Sequence, residues 1–347
     1  MTAPKHLIIA LVSSLLISSS SLSAQASIST DPVGFIAFVT PGGDDSLFGV
    51  PLTGPIEYAG TVSSVNGSEV FVSSTFTENS FNGTHYALVT SGANEGQWSE
   101  IVSTSNNSIT TSEALLSESD SFKIIPFWTL STLFVDGVGI GASATPQNPE
   151  IVVLINNLNA VGINLSSAAS YFYYAGPNPT AGWYRTGIFT DGNDVRLVPE
   201  TYITVRNNTS NPIKTTLTGL VPVNMIAADV VGLESTSQDN QLSNPYPVPI
   251  TLATSGLEAI VEPTVTPQSP TDVVLIYDFE NTIGQNISPS ATYFYFPGPN
   301  PAAGWYQTGV FSDGNDVEIP AGGAFIVRKG FGDNELRNWN PPLPYNL

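Results

Sequence analysis

One stretch of this chain occurs twice. Residues 171–206 align without gaps on residues 293–328 at an offset of 122, with 21 of 36 positions identical. The first copy carries Gly176-Pro177-Asn178-Pro179, Gly182-Trp183-Tyr184 and Asp191-Gly192-Asn193-Asp194. The second carries Gly298-Pro299-Asn300-Pro301, Gly304-Trp305-Tyr306 and Asp313-Gly314-Asn315-Asp316. The likeness extends upstream: Val152-Val153-Leu154-Ile155 matches Val273-Val274-Leu275-Ile276, and Gly162-Ile163-Asn164 matches Gly284-Gln285-Asn286. A repeat of this kind means that one supersecondary unit, about a hundred residues long, is built twice. A fainter echo links Val33-Gly34-Phe35, Asp45-Ser46-Leu47 and Val50-Pro51-Leu52-Thr53 to Val231-Gly232-Leu233, Asp239-Asn240-Gln241-Leu242 and Val248-Pro249-Ile250-Thr251. It predicts that the first copy opens near the mature N-terminus and is interrupted by an insert at roughly residues 56–126.

Within each copy, short aromatic or β-branched runs such as Tyr171-Phe172-Tyr173-Tyr174 and Ile203-Thr204-Val205 lie between clusters of Gly, Pro, Asn and Asp. That is the pattern of strands joined by turns. The insert reads the same way. Residues 60–72 alternate on both sides of Asn66-Gly67, the preferred two-residue hairpin turn. No long amphipathic helix is expected, at most a turn near residues 112–116. The predicted fold is all-β: a duplicated β-sandwich or barrel-like unit, with a small β-barrel of five or six strands inserted in the first copy. The boundaries that follow are 1–26 as a signal peptide, 27–55 plus 127–210 as the first repeat, 56–126 as the insert, and 211–347 as the second repeat.

The first 26 residues carry the marks of export. Lys5 precedes an apolar run from Leu7 to Leu16, and Ala24-Gln25-Ala26 offers a small-x-small cleavage site. The run is shorter than the roughly 20 residues a spanning helix needs, so no membrane span is expected after cleavage. There is no cysteine, which removes disulfides, thiolate metal sites and cysteine nucleophiles. Loss of the leader would leave one histidine, His85, in place of the groups that Ser-His-Asp triads and multi-histidine zinc sites require. With 29 acidic against 9 basic residues the formal charge is −20, which opposes binding to nucleic acid or to an anionic membrane surface. A hydrophobic fraction of 41% is enough to bury a core.

Two repeated motifs are candidates for chemistry. Asp191, Asn193 and Asp194, with their twins Asp313, Asn315 and Asp316, present oxygens of the kind Ca²⁺ prefers. The competing and favoured reading is a turn, because Asp, Asn and Gly supply local hydrogen bonds and positive φ. Calcium is the one cofactor entertained. Trp183 and Tyr184, with Trp305 and Tyr306, are candidates for a sugar-stacking platform; packing of the same rings in the core is the favoured alternative. Paired carboxylates for glycoside hydrolysis are a more distant reading, because a repeated surface turn lacks the burial that would raise one pKa.

Residues 29–35, residues 121–130, Ser237-Gln238-Asp239-Asn240 and the Ile326-Val327-Arg328-Lys329 pattern together resemble a family of exported bacterial proteins that occur as many paralogues in one genome. The resemblance covers nearly the whole mature chain. It implies a fold and an export route, and it implies no activity and no site residues. The functional expectation is an exported, non-enzymatic structural or interaction protein of the cell surface or extracellular matrix, whose partners are other surface proteins or polysaccharide. A glycan-binding module is the alternative.

Overall fold

The alternating runs form strands almost everywhere, and the turn clusters break them. The computed structural model describes residues 31–278 and 283–345; the predicted signal peptide lies outside these residues, as do residues 27–30 of the predicted first repeat and 279–282 and 346–347 of the second. The fold is all-β, and among the described residues every strand pair is antiparallel, with one isolated parallel bridge between Ser143 and Tyr174. Among the described residues helical turns are limited to pieces of three or four residues, and residues 112–116 form none.

Two five-stranded sheets dominate. The first runs in the order Gly182–Arg185, Ser167–Tyr174, Ile151–Asn156, Tyr202–Asn207, Asp45–Gly49. The second runs Gly304–Gln307, Ala291–Phe296, Val273–Ile276, Ala324–Lys329, Gln238–Ser243. The pairing registers correspond: Arg206 lies opposite Asp45, and Arg328 opposite Asp239. Each sheet has its own core. Phe48, Trp183 and Val205 sit in the first, and Trp305, Phe325 and Trp339 in the second.

The fainter echo needs correcting in detail. Val33–Thr40 forms a ribbon with Ile213–Leu220, and Ala228–Val231 a ribbon with Leu336–Trp339. Lys214 and Leu336, which are 122 residues apart, face Val39 and Val231 respectively, so Val231 corresponds to Val39 and not to Val33. Ile250-Thr251 pairs with Ile319 and Glu318 as Trp128-Thr129 pairs with Leu197 and Arg196. The match to Val50-Pro51-Leu52-Thr53 is therefore displaced to the far side of the insert. The predicted boundary at residue 211 is also early, since residues 213–220 are paired along their length with 33–40.

Residues 58–126 make a seven-stranded sheet that curls into half a barrel, in place of the expected five or six strands. Its interior holds Val70, Ile101, Ile109, Phe122 and Ile124. Its first tight turn is one residue away from the expected place. Asn66 is paired with Glu69, so the loop is Gly67-Ser68, and glycine supplies the positive φ of +63°.

The two large sheets hold each other by a reciprocal exchange. Arg206 grips Asp45 through Nε and Nη2, both at 2.8 Å, and Asp45 also accepts the Asn286 backbone N–H at 2.7 Å. In the other direction Arg328 grips Asp239 at 2.6 and 3.0 Å, and Asp239 accepts the Asn164 N–H at 2.7 Å. Asn164 and Asn286 both adopt positive φ, 56° and 55°, a conformation asparagine tolerates better than most residues. Each repeat thus extends its Gly-x-Asn loop across to the other repeat's Asp–Arg pair, with Leu47, Tyr202, Leu275 and Ile326 packed beneath.

Candidate functional site

Neither repeated motif forms an open site. Successive side chains of a strand face opposite sides, so Trp183 points into the first core and Tyr184 away from it. Trp183 is 0% exposed and Trp305 is 1% exposed. This corrects the stacking platform: a Trp-Tyr pair split across a sheet offers no common face, and neither indole is open to a sugar. Tyr184 instead stacks on Phe189 at 4.4 Å between ring centroids, and Tyr306 on Phe311 at 4.7 Å. Their hydroxyls donate to the Thr180 and Ala302 carbonyls at 2.9 and 3.0 Å.

The acidic corners are occupied by their own hydrogen bonds. Asp191 Oδ1 accepts the Asn193 backbone N–H and side-chain amide, both at 2.8 Å, and Asn193 Oδ1 accepts the Trp183 N–H at 3.0 Å. Asp313 and Asn315 repeat this on Trp305, while Asp194 and Asp316 are exposed. The glycine between them serves close approach and not positive φ. A Cβ on Gly192 would stand 2.6 Å from the Tyr171 ring, and one on Gly314 2.6 Å from Tyr293. Among the described residues no group of three or more His, Asp and Glu side chains is arranged around a metal position. His85 lies on the His85–Val89 strand, edge-on to Phe81, with Nδ1 2.8 Å from the Thr84 hydroxyl. Burial lowers its pKa, against an opposing pull from Glu57.

The structure gathers a different set of residues. A cleft of about 530 Å³ opens where the inserted half-barrel meets both repeats. Trp98 and Glu100 of the insert form one wall. The loop at residues 157–161 forms another, and Asp229, Val231 and Gln241 of the second repeat face them. Glu200 lies between, at a corner of the first repeat. Both of its carboxylate oxygens accept from Trp98 Nε1, at 3.1 and 3.0 Å. Arg196 secures the insert nearby: it pairs with Glu100 at 2.7 Å and lies 5.3 Å from the Phe127 ring centre.

Glu200 occupies a conformation that costs energy. Its φ is +55°, and its counterpart in the second copy is Gly322, at +63°. A non-glycine residue held there is strained by on the order of 1 kcal/mol. The cause is the contact between repeats. The Glu200 carbonyl accepts the Ser243 N–H at 2.7 Å, and the Gly322 carbonyl accepts the Gly49 N–H at 2.7 Å. At Gly322 the neighbours leave little room, since a Cβ would meet Gly49 O, Phe38 and Pro51 at 3.1 Å each. At residue 200 the same corner opens on the cleft, and a long acidic side chain fills it.

Burial pushes the Glu200 carboxyl well above the ordinary carboxylate range; the Trp98 N–H opposes this, and the charge of Asp229 adds to it. Burial also raises Asp229, whose carboxylate accepts the Asn338 side-chain amide. The sign of the linkage follows. As pH rises above the unfolded value, about 4.3, the unfolded chain gives up a proton that folded Glu200 retains. Stability therefore falls with rising pH until the folded pKa is passed. Glu200→Gln keeps an acceptor for Trp98 and removes this dependence. Chemical denaturation across the acid-to-neutral range is expected to show the variant gaining on the parent chain as pH rises, and a constant difference would contradict it.

None of these cleft residues is a candidate for chemistry in the sequence; Val231 and Gln241 enter there only through the repeat. The one signal that pointed there was the aligned pair Glu200 and Gly322, a charged residue standing where its twin has glycine. Comparisons with protein-family models, with curated proteins and with solved structures find no match to this chain.

Proposed function

We propose that this is an exported, non-catalytic interaction protein of the cell surface or extracellular matrix, and that the resemblance to paralogous exported bacterial proteins reflects kinship. The paired repeats serve as a rigid frame, and the half-barrel closes a binding cleft against it. The observation that carries this reading is the cleft itself: three distant stretches of chain converge on Glu200, which is kept in a strained corner, while both repeated motifs are used up in packing and turns. Concave sites with a few convergent polar groups are where ligands bind. Its partners are surface proteins or polysaccharide.

A second reading rests on the outer faces of the hairpins. The Tyr184–Phe189 and Tyr306–Phe311 stacks lie beside Ile188 and Val310, which are 59% and 67% exposed. Equilibrium binding of the full chain to a panel of soluble polysaccharides and peptides separates the two. Leu158→Asp with Val231→Asp in the cleft is expected to weaken binding at least about tenfold, a loss of about 1.4 kcal/mol, and Tyr184→Ser with Tyr306→Ser to leave it unchanged. The opposite pattern moves the site to the hairpins. Turnover of a bound polymer that is abolished by Glu200→Gln would overturn the non-catalytic assignment.

A further inference from the structure

The walls of the cleft carry both charge and grease, and their balance specifies an occupant. Five carboxylates line it, from Glu100, Glu113, Glu200, Asp229 and Asp239, and no Lys, Arg or His does. Two of the five are neutralised from outside the cleft, Glu100 by Arg196 at 2.7 Å and Asp239 by Arg328 at 2.6 Å. Among the described residues no cation pairs with Glu200 or Asp229, which meet only the neutral donors of Trp98 and Asn338. The space between insert and repeats thus holds two carboxyl groups that no cation in the fold pairs with, and an ammonium placed between them would favour loss of the proton that burial holds on Glu200.

Apolar side chains stand around the same opening. Leu158, Val161 and Val231 line the cleft and are 53%, 70% and 38% exposed. They come from two segments, the 157–161 loop and the Ala228–Val231 strand, so their meeting is a product of the tertiary fold. An exposed aliphatic group gathered at the mouth of a concave site marks a surface that binds. Asn159, exposed in the same loop, and Asn157, half-buried with its Oδ1 accepting the Asn159 N–H at 3.2 Å, add amide oxygens that accept hydrogen bonds.

Resting on the binding-cleft reading, we infer that the occupant is a protonated alkylamine, with its ammonium directed between Glu200 and Asp229 and its methylene chain lying along Leu158, Val161 and Val231. An anionic ligand would meet carboxyl groups on every side and no Lys, Arg or His on the walls. A neutral saccharide would leave Glu200 and Asp229 without a cationic partner and cover aliphatic groups with hydroxyls. An ammonium on a flexible hydrocarbon stem matches both halves of the wall, because three N–H donors meet carboxylate and amide oxygens while the stem buries apolar surface. A free linear polyamine and a lysine side chain of a partner protein present the same chemistry.

Titration calorimetry of the full chain in 150 mM salt, where exposed charges are largely screened over about 8 Å, tests this with two amine probes, spermidine and an acetylated tetralysine. One-to-one binding of at least one probe is expected; which of them binds identifies a free polyamine or a lysyl partner. Glu200→Gln with Asp229→Asn is expected to weaken it at least about tenfold, and Glu118→Gln, a change at an exposed carboxylate outside the cleft, to leave it unaltered. Val231→Lys places an ammonium in the cleft from within and is expected to block the probe; as an exposed side chain on a short ribbon it provides a folded variant should the double carboxamide melt early. Failure of both probes to bind the folded parent chain, or binding that survives both cleft variants, overturns the inference. A neutral hexasaccharide that binds and is blocked by Val231→Lys would sink the alkylamine and keep the cleft, whereas loss of neither ligand by any cleft change would remove both.

Discussion

Asp272→Ala is expected to destabilise the second repeat by about 3–5 kcal/mol, the usual cost of removing one partner from a buried ion pair. Lys329 is fully enclosed. Its ammonium meets the Asp272 carboxylate, Asp333 at 2.9 Å and the Ile260 carbonyl at 2.8 Å. Asp272 in turn accepts the backbone N–H groups of Glu262 and Gly330, each at 2.8 Å. Alanine at 272 therefore takes one of two carboxylates from a buried ammonium and leaves two backbone donors unpaired at once. Lys329→Met leaves Asp272 with both of those donors and is expected to cost less. Denaturant unfolding of the three chains gives the order, and an Asp272→Ala loss under about 1 kcal/mol would show that the ammonium has found other acceptors. Burial tends to raise the Asp333 pKa, but Lys329 and Arg337 outweigh it and the net shift is downward. Its stabilisation is accordingly present at neutral pH and disappears as pH falls through its lowered folded value. The first repeat solves the equivalent corner without charge: Asn207, 122 residues earlier, reaches the Thr40, Pro41 and Asn211 carbonyls through its amide.

Trp183→Ala and Trp305→Ala are each expected to cost about 3–5 kcal/mol, as large-to-small changes of enclosed aromatics do. Trp183 packs against Phe134 and Tyr173, and Trp305 against Tyr295. The two rings belong to different cores, so the losses are expected to add within about 0.5 kcal/mol in the double variant. Phenylalanine at either position is expected to be far milder, because neither indole N–H has a hydrogen-bond partner to lose. Thermal and denaturant melts check both statements. A variant that kept its stability and lost a sugar ligand would return these residues to the surface role that their burial denies them.

The all-β character was legible because it depends on neighbours a few residues apart. Alternation in Ile203-Thr204-Val205, and the Asp-Gly-Asn corners that follow the Trp-Tyr strands, act over one strand and one turn. Even there the physical reason differs in part from turn preference. Gly192 was expected to supply positive φ, and it is instead the floor on which the Tyr171 ring rests. The inward choice of Trp183 over Tyr184 was not legible, since both are aromatic and alternation says only that they part company. The cleft was invisible for a plainer reason: Trp98 and Glu200 are 102 residues apart, and nothing local to either announces the other.

The sequence alone determined that this chain folds as strands and corners and that one such arrangement is written twice, because side-chain alternation and turn preferences are short-range. Only the tertiary structure decided how the copies clasp, which aromatics they bury, and where carboxyl groups are left without a cationic partner. Those outcomes rest on hydrogen bonds such as Asn164 to Asp239 and Asn286 to Asp45, between residues 75 and 241 positions apart, whose partners exist only once the sheets have met.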